Sequence, residues 1–192
     1  QTAALYCKYT SLKWEDPAGM YEVRVHAVDL ASTAGEPLVN EFEYLPLTSF
    51  EVDFANVNYG EVRQGIHKIV SGDRTWDPYD PSYGGGETPT VRNTGNTRLN
   101  MTIWQDDMGL GKTVNGGEWW NVEWDARVSS YADFTVFDPY EVDVVLSDTL
   151  ELSHTEEMDF SILVNKFPLE WDNFGGEMIL GAEYTKFLIC DN

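Results

Sequence analysis

The chain lacks the features that mark several large classes of protein. No apolar run approaches the roughly 20 residues that a membrane-spanning helix requires, and no segment keeps a helical period with caps at both ends. Only 12 of the 192 residues are lysine or arginine, against 33 aspartates and glutamates. The resulting net charge of −21 repels nucleic acid and anionic membranes. We therefore expect neither nucleic-acid binding nor membrane insertion.

Cysteine is also scarce. Cys7 and Cys190 lie near opposite ends of the sequence, and neither has a second cysteine or a histidine at zinc-ligand spacing. In an oxidising compartment a Cys7–Cys190 disulfide would tie the two ends together, whereas the alternative is a pair of buried, unpaired thiols. Because the chain opens with Gln1 rather than Met, we expect a processed chain or a fragment.

Short segments in which apolar and polar residues alternate dominate the sequence. This pattern is typical of strands with one buried face, and glycine, proline, asparagine and aspartate separate the segments. In the longest segment, we expect Asn121, Glu123, Asp125 and Arg127 to face solvent. The pattern predicts an all-β fold, an antiparallel sandwich or barrel, with any helix limited to one or two turns near residues 138–142. The apolar faces run through Tyr21–Ala27, Phe50–Phe54, Leu99–Ile103, Trp120–Val128, Met158–Val164 and Met178–Tyr184.

A boundary is predicted near Pro46–Ser49. Residues 1–48 carry only about three predicted strands, which bury too little surface to be stable alone. We interpret residues 1–48 as the tail of a truncated domain or as strands donated to the main sheet of this chain or to that of a neighbour. Residues 49–192 contain enough strands for a complete sandwich domain.

Two stretches resemble known extracellular modules. Pro17–Asp29, PAGMYEVRVHAVD, resembles the late strands of PKD-like and Ig-like domains. YGEVRQG at 59–65 and PTVRNTGNTRLNM at 89–101 look like repeated modules of large secreted proteins from methanogenic archaea. A weaker similarity is to camelysin-type fibre subunits, in which one subunit's strand completes the next subunit's sheet. The resemblance implies an Ig-like β-sandwich, with the first strands from a partial Ig/PKD-like unit, in a cell-envelope, S-layer-associated or surface-filament protein.

DDMGLGKT, Asp106–Thr113, matches the phosphate-binding loop of Swi/Snf-type helicases. That loop needs a following helix whose first amides point at phosphate. Here Asn115-Gly116-Gly117 follows, which breaks a helix, and alternation then resumes. The sequence therefore predicts a glycine-rich hairpin loop in which Gly109, Gly111 and the Gly116-Gly117 pair adopt positive φ.

Clustered carboxylates are candidate calcium ligands, because calcium prefers oxygen. The alternative is that they belong to ordered, solvated loops. No pair stands out as a glycosidase acid and base, and the scattered histidines His26, His67 and His154 suggest no catalytic residues. The candidate calcium ligands are Asp77, Asp80, Glu87, Asp106 and Asp107.

Exposed aromatic rings are candidates for stacking on sugars, although a tryptophan in a β protein more often packs in the core. The candidates are Trp76, Tyr79, Tyr83 and Trp119. Asn100-Met101-Thr102 is a glycosylation sequon, with Asn100 on the face opposite Leu99 and Met101.

Together these features predict a non-catalytic structural or adhesive module of the extracellular cell surface. Its expected partners are other copies of itself, other cell-envelope proteins, or glycans, and calcium is the one candidate cofactor. A carbohydrate-binding module is the main alternative, and a hydrolase with an unrecognised site is another.

Overall fold

A computed structural model describes residues 8–29, 31–77, 88–168 and 173–185. In these ranges the chain is all-β and every strand pairing is antiparallel, with no helix. The strands are β1 Gly19–Val25, β2 Leu38–Tyr44, β3 Phe50–Val52, β4 Lys68–Val70, β5 Thr90–Asn93, β6 Arg98–Gln105, β7 Lys112–Val114, β8 Glu118–Trp120, β9 Val122–Val128, β10 Thr135–Phe137, β11 Val144–Val145, β12 Thr155–Val164 and β13 Met178–Thr185.

Two larger sheets form the body of the protein. The first has the order β10-β9-β12-β5-β3, with β4 also paired to β12, and the second has the order β11-β6-β13. Met158–Val164 of β12 pairs with β9 on one side. On its other side, β12 pairs first with β5 and then with β4. Two hairpins, β1-β2 and β7-β8, form separate two-stranded sheets.

The buried faces of the two larger sheets share one hydrophobic core. Leu99, Met101 and Ile103 of β6 are at most 1% exposed, as their alternation predicts. The apolar faces of β9 and β12 lie in the same cluster, so those predicted faces are also confirmed. Burying each large aliphatic or aromatic side chain contributes about 1.5–3 kcal/mol.

The predicted strand Phe50–Phe54 is shorter than expected, because β3 ends at Val52. The next residues form no strand until β4, but they supply two aromatic rings to the core. Phe54 packs edge-on against Phe160, with ring centroids 5.7 Å apart. Tyr59 packs on Trp124 at 5.8 Å, and its hydroxyl hydrogen-bonds with the Gln105 side chain. Burial raises the pKa of Tyr59 far above the usual tyrosine value.

The expectation that Asn121 and Asp125 face solvent is wrong, since each is only 7% exposed. The segment before β4 covers that side of the sheet, and His67 Nδ1 lies 3.0 Å from Asp125 Oδ2. The Asn121 side chain bonds to Thr113 of β7 and to the Leu110 carbonyl, and its backbone amide donates to the Gly111 carbonyl in the loop before β7. The alternation of residues within β9 could not predict this burial, because the segments that cover Asn121 and Asp125 lie elsewhere in the sequence.

The β1-β2 hairpin departs furthest from the predicted pattern. The strand through Tyr21–Val25 is confirmed, but its apolar face is not buried: Val25 is 56% exposed and Leu38 of β2 is 76% exposed. The reason is that β1 and β2 form their own two-stranded sheet and neither strand contributes a residue to the shared core. The described strands before residue 48 are thus β1 and β2, which form one two-stranded sheet.

The Asn93–Asn96 turn joins the two larger sheets and anchors the segment after β2. Asn93 Nδ2 donates to the carbonyls of Thr97 and Leu150, at 2.7 and 3.2 Å. Asn96 is 1% exposed, and its side chain exchanges hydrogen bonds with the backbone of Leu45 and Leu47. The Asn-Thr-Gly-Asn segment thus turns the chain from β5 to β6, and the buried side-chain amides of Asn93 and Asn96 have specific backbone partners.

Near residues 138–142, where a short helix was expected, the described chain makes a single turn. The amide of Glu141 donates to the carbonyl of Asp138 at 3.2 Å. The Asp138 amide donates back to Glu141 Oε2, also at 3.2 Å.

Gly95→Ala tests the close contact between the Asn93–Asn96 turn and the segment after β2. A Cβ at position 95 would lie 2.1 Å from the Leu47 carbonyl oxygen, so the two backbones must separate. We expect the free energy of unfolding to fall by about 1–3 kcal/mol, measured by chemical denaturation. Gly35→Ala is the control, because a Cβ there meets only an atom at 3.8 Å. Equal unfolding free energies of the two variants would contradict a tight backbone contact between Gly95 and Leu47.

Candidate functional site

A cleft of about 500 Å³ lies beside the β7-β8 hairpin and the start of β9. Trp119 lines it and is 45% exposed. Its other lining residues that carry polar side chains are Lys112, Glu118, Glu123, Asp138 and Asn165. Lys112 Nζ lies 2.8 Å from Glu118 Oε1, so the one cation in this set is paired with one of the three carboxylates.

Buried Asn121 fixes the hairpin that forms one wall of the cleft. Its Nδ2 donates to the Leu110 carbonyl at 2.7 Å, and its Oδ1 accepts from Thr113 Oγ1 at 2.5 Å. Its backbone amide donates to the Gly111 carbonyl at 3.0 Å. These bonds tie Asn121, which directly follows β8, to Thr113 of β7 and to the loop before β7, so the cleft wall is held in place by the fold.

Trp120 also lines the cleft, but its ring is already engaged by neighbours. Lys112 Nζ lies 4.1 Å from the centroid of the Trp120 ring, a cation–π contact. The Tyr140 ring lies 5.4 Å from Trp120 and 5.8 Å from Trp104. Trp119 has no such ring contact among the described residues.

The loop Asp106–Gly111 is built around its two carboxylates. Asp106 Oδ1 accepts from the Met108 amide at 2.9 Å, and Asp107 accepts from the amides of Gly109 and Gly111 at 3.0 and 3.1 Å. Gly109, Gly111 and Gly116 have positive φ, as predicted, whereas the prediction is wrong for Gly117. The chain then enters the β7-β8 hairpin, not a helix.

This geometry differs from that of a nucleotide-binding loop in a specific way. Such a loop binds phosphate with backbone amides that are left without partners at the start of a helix. Here the amides of Met108, Gly109 and Gly111 already donate to carboxylates of the chain itself. The carboxylates would also repel a phosphate placed at these amides.

His67, Asp125 and Ser161 lie close together on the outer side of the larger sheet. His67 Nδ1 is 3.0 Å from Asp125 Oδ2 and 3.2 Å from Ser161 Oγ. A serine nucleophile needs the aspartate and the serine on opposite ring nitrogens. Here both face the same nitrogen, and Ser161 is 2% exposed. The cluster therefore acts as a polar contact between the covering segment and the sheet.

The candidate calcium ligands are not brought together by the described residues. Asp106 and Asp107 direct their carboxylates to backbone amides, and the Asp77 amide donates to Asp53 Oδ2 at 3.3 Å. Asp80 and Glu87 lie outside the described residues. The described ranges contain no group of three or more histidine, cysteine or acidic residues able to hold a metal ion. Calcium binding stays a prediction.

The sugar-stacking candidates separate in space. Trp76 has its ring covered by the Arg92 guanidinium, 3.9 Å from the ring centroid, whereas Trp119 lines the cleft. Tyr79 and Tyr83 lie outside the described residues. The sequence did not reveal Glu118, Glu123, Asp138 and Asn165 as neighbours of Trp119. Only the hairpin turn at Asn115–Gly117, which pairs Trp119 with Thr113, signalled part of this arrangement.

Asn100 of the sequon lies in β6, the middle strand of its sheet, and is half-buried. Its Oδ1 accepts from Thr149 Oγ1 at 3.0 Å, and Thr102 of the same sequon is 7% exposed. Glycosylation at Asn100 stays a prediction. Cys7 and Cys190 lie outside the described residues, so their pairing also stays a prediction.

Comparison with known proteins identifies no relative. No model of a known protein family matches the chain, and neither the curated proteins nor the solved structures contain a significant match. Within the described ranges, no helix has the length and apolar character needed to cross a membrane.

Gly176→Ala tests how loop Asp106–Gly111 is fixed to the segment before β13. A Cβ at position 176 would lie 1.9 Å from Asp106 Oδ1, which would displace the carboxylate from the Met108 amide. We expect a loss of about 1–3 kcal/mol in unfolding free energy, measured by thermal or chemical denaturation. Gly175→Ala is the matched control, since nothing lies within 4 Å of a Cβ there. If Gly175→Ala were destabilised and Gly176→Ala were not, the close packing of Gly176 against Asp106 would be contradicted.

Tyr140 provides a pH-dependent test of the same loop. Its hydroxyl donates to Asp107 Oδ1 at 3.0 Å, and this hydrogen bond raises the pKa of Tyr140 above the ordinary value of 10.0. The contact therefore stabilises the fold at pH below about 10 and is lost as pH rises through the raised pKa. We expect Asp107→Asn to lower the Tyr140 pKa, followed by NMR shifts of the ring. Asp148→Asn is the control: it removes a charge elsewhere and should leave the Tyr140 pKa unchanged. An equal change of the Tyr140 pKa in both variants would contradict the hydrogen bond between Tyr140 and Asp107.

Proposed function

We propose that this protein is a non-catalytic, Ig-like β-sandwich module of the extracellular cell surface, in a cell envelope or surface filament, that associates with further copies of itself. The observation that carries the proposal is the β1-β2 hairpin, which presents apolar side chains outside the core. The acidic composition and the resemblance of Pro17–Asp29 to Ig-like strands support the extracellular setting. Both sheets sharing one core supports the sandwich assignment.

The hairpin gathers its apolar residues on one face. Tyr21 pairs with Phe42 and Val25 pairs with Leu38, so their side chains point the same way. The Tyr21 and Phe42 rings stack, with centroids 5.5 Å apart. An isolated two-stranded hairpin is marginally stable in water, and covering this face would stabilise it.

The exposed edge of β13 is a complementary surface on the same chain. Among the described strands, β13 pairs only with β6, so within the described residues its other edge carries no strand partner. Its inner residues Met178, Leu180 and Ala182 pack on the core but remain partly exposed. Adding a strand of a neighbouring copy to this edge would pair the backbone and cover these side chains.

Such a contact joins two different surfaces, the hairpin of one copy and the β13 edge of the next. Contacts of this kind build open chains unless their rotation closes a ring. The net charge of −21 opposes assembly through repulsion between copies, so salt or divalent cations should promote it.

Val25→Lys tests the hairpin as the contact surface. We expect at least about tenfold weaker self-association, roughly 1.4 kcal/mol, because the change places a charge on the apolar face. Association is measured by sedimentation velocity across a concentration series, with negative-stain images of any filaments or lattices. Val142→Lys is the matched control, because Val142 is also exposed but lies outside the hairpin.

Two results would overturn the proposal. One is a wild-type protein that stays monomeric at millimolar concentration in high salt with calcium. The other is equal weakening by Val25→Lys and Val142→Lys, which would assign the effect to charge alone.

A further inference from the structure

We propose that the cleft lined by Trp119 is a binding site for an uncharged glycan, one sugar unit of which stacks on the Trp119 ring. This site is separate from the β1-β2 hairpin and does not depend on self-association. The cleft volume of about 500 Å³ is within the usual range of small-ligand sites.

The aromatic platform is the first argument. Trp119 is 45% exposed, while the ring of the adjacent Trp120 is engaged by Lys112 and Tyr140. A tryptophan ring offers a broad apolar face with one polar N–H, which suits the C–H face of a sugar ring. Of the two tryptophans in this strand, only Trp119 keeps its ring available among the described contacts.

Gly117 keeps part of that ring uncovered. A Cβ at position 117 would lie 3.8 Å from two carbon atoms of the six-membered ring of Trp119. The backbone at Gly117 is not in the left-handed region, so the turn does not require glycine there. A larger side chain at this position would cover the ring without removing it.

The polar groups of the cleft determine the class of sugar. Carboxylates of Glu118, Glu123 and Asp138 accept hydrogen bonds from hydroxyls, and the Asn165 amide both donates and accepts. With Lys112 paired to Glu118, the set carries an excess of negative charge. Uronic acids and sulfated sugars would be repelled, so a neutral glycan fits best.

The cleft wall requires little ordering on binding, because three hydrogen bonds tie Asn121, which directly follows β8, to Thr113 of β7 and to Leu110 and Gly111 just before β7. A site that is already ordered loses less conformational entropy when a ligand binds. This favours measurable binding of short oligosaccharides by one exposed ring and a few polar groups.

The test titrates the protein with methyl glycosides of glucose, mannose and galactose and with linear neutral trisaccharides. Binding is followed by saturation-transfer NMR and calorimetry. We expect at least one neutral sugar to bind, and Trp119→Ala to weaken it at least tenfold. Gly117→Val should also weaken binding while leaving the fold intact, which guards against misfolding of the tryptophan variant. Trp76→Ala is the matched control and should bind normally, because its ring is covered by Arg92.

Three outcomes would overturn the proposal. The first is no binding of any neutral sugar by the folded wild-type protein. The second is equal affinity of wild type and Trp119→Ala. The third is a preference for glucuronate or for a quaternary ammonium such as choline, which would assign the cleft to a charged ligand. None of these outcomes bears on the hairpin contact, whose test is the association state.

Discussion

The buried Asn93–Asn96 turn is the constraint on which the rest of the structure depends. It carries the chain from β5 in the six-stranded sheet to β6 in the three-stranded sheet, so it sets how the two sheets face each other. The side chain of Asn96 also holds the segment after β2, and the Asn96 carbonyl accepts from the Ala18 amide at 2.8 Å. Buried amides whose partners are lost cost about 1–3 kcal/mol each, so small changes here affect both the core and the hairpin.

The body of the fold could be predicted from sequence, because its strands bury one face each and alternate accordingly. Leu99–Ile103 and Met158–Val164 are examples, and the asparagine turn follows from local side-chain chemistry. Alternation could not predict that β1 lacks a second sheet to pack on. Nor could it predict that Asp125 is covered, because the covering residue, His67, is distant in sequence.

The candidate sites show the same difference between what local sequence predicts and what depends on distant residues. The glycine-rich loop was identified as a turn because a helix cannot continue through Asn115–Gly117, which is a local property. The cleft around Trp119 depends on residues from β7 to the end of β12, and no single segment contains it. The acidic surface connects the two proposals, since it excludes anionic ligands from the cleft and makes contact between copies depend on screening.

The shared pairing of β12 has a consequence for how the chain reaches its folded state. β4, β5 and β9 all depend on this one late strand, with Val70 pairing to Phe160 and Arg92 to Thr155. Until ribosomal synthesis passes Val164, those three strands lack their common partner. Folding dominated by such distant pairings takes milliseconds to seconds. An incomplete chain therefore remains without its main sheet until β12 has been made.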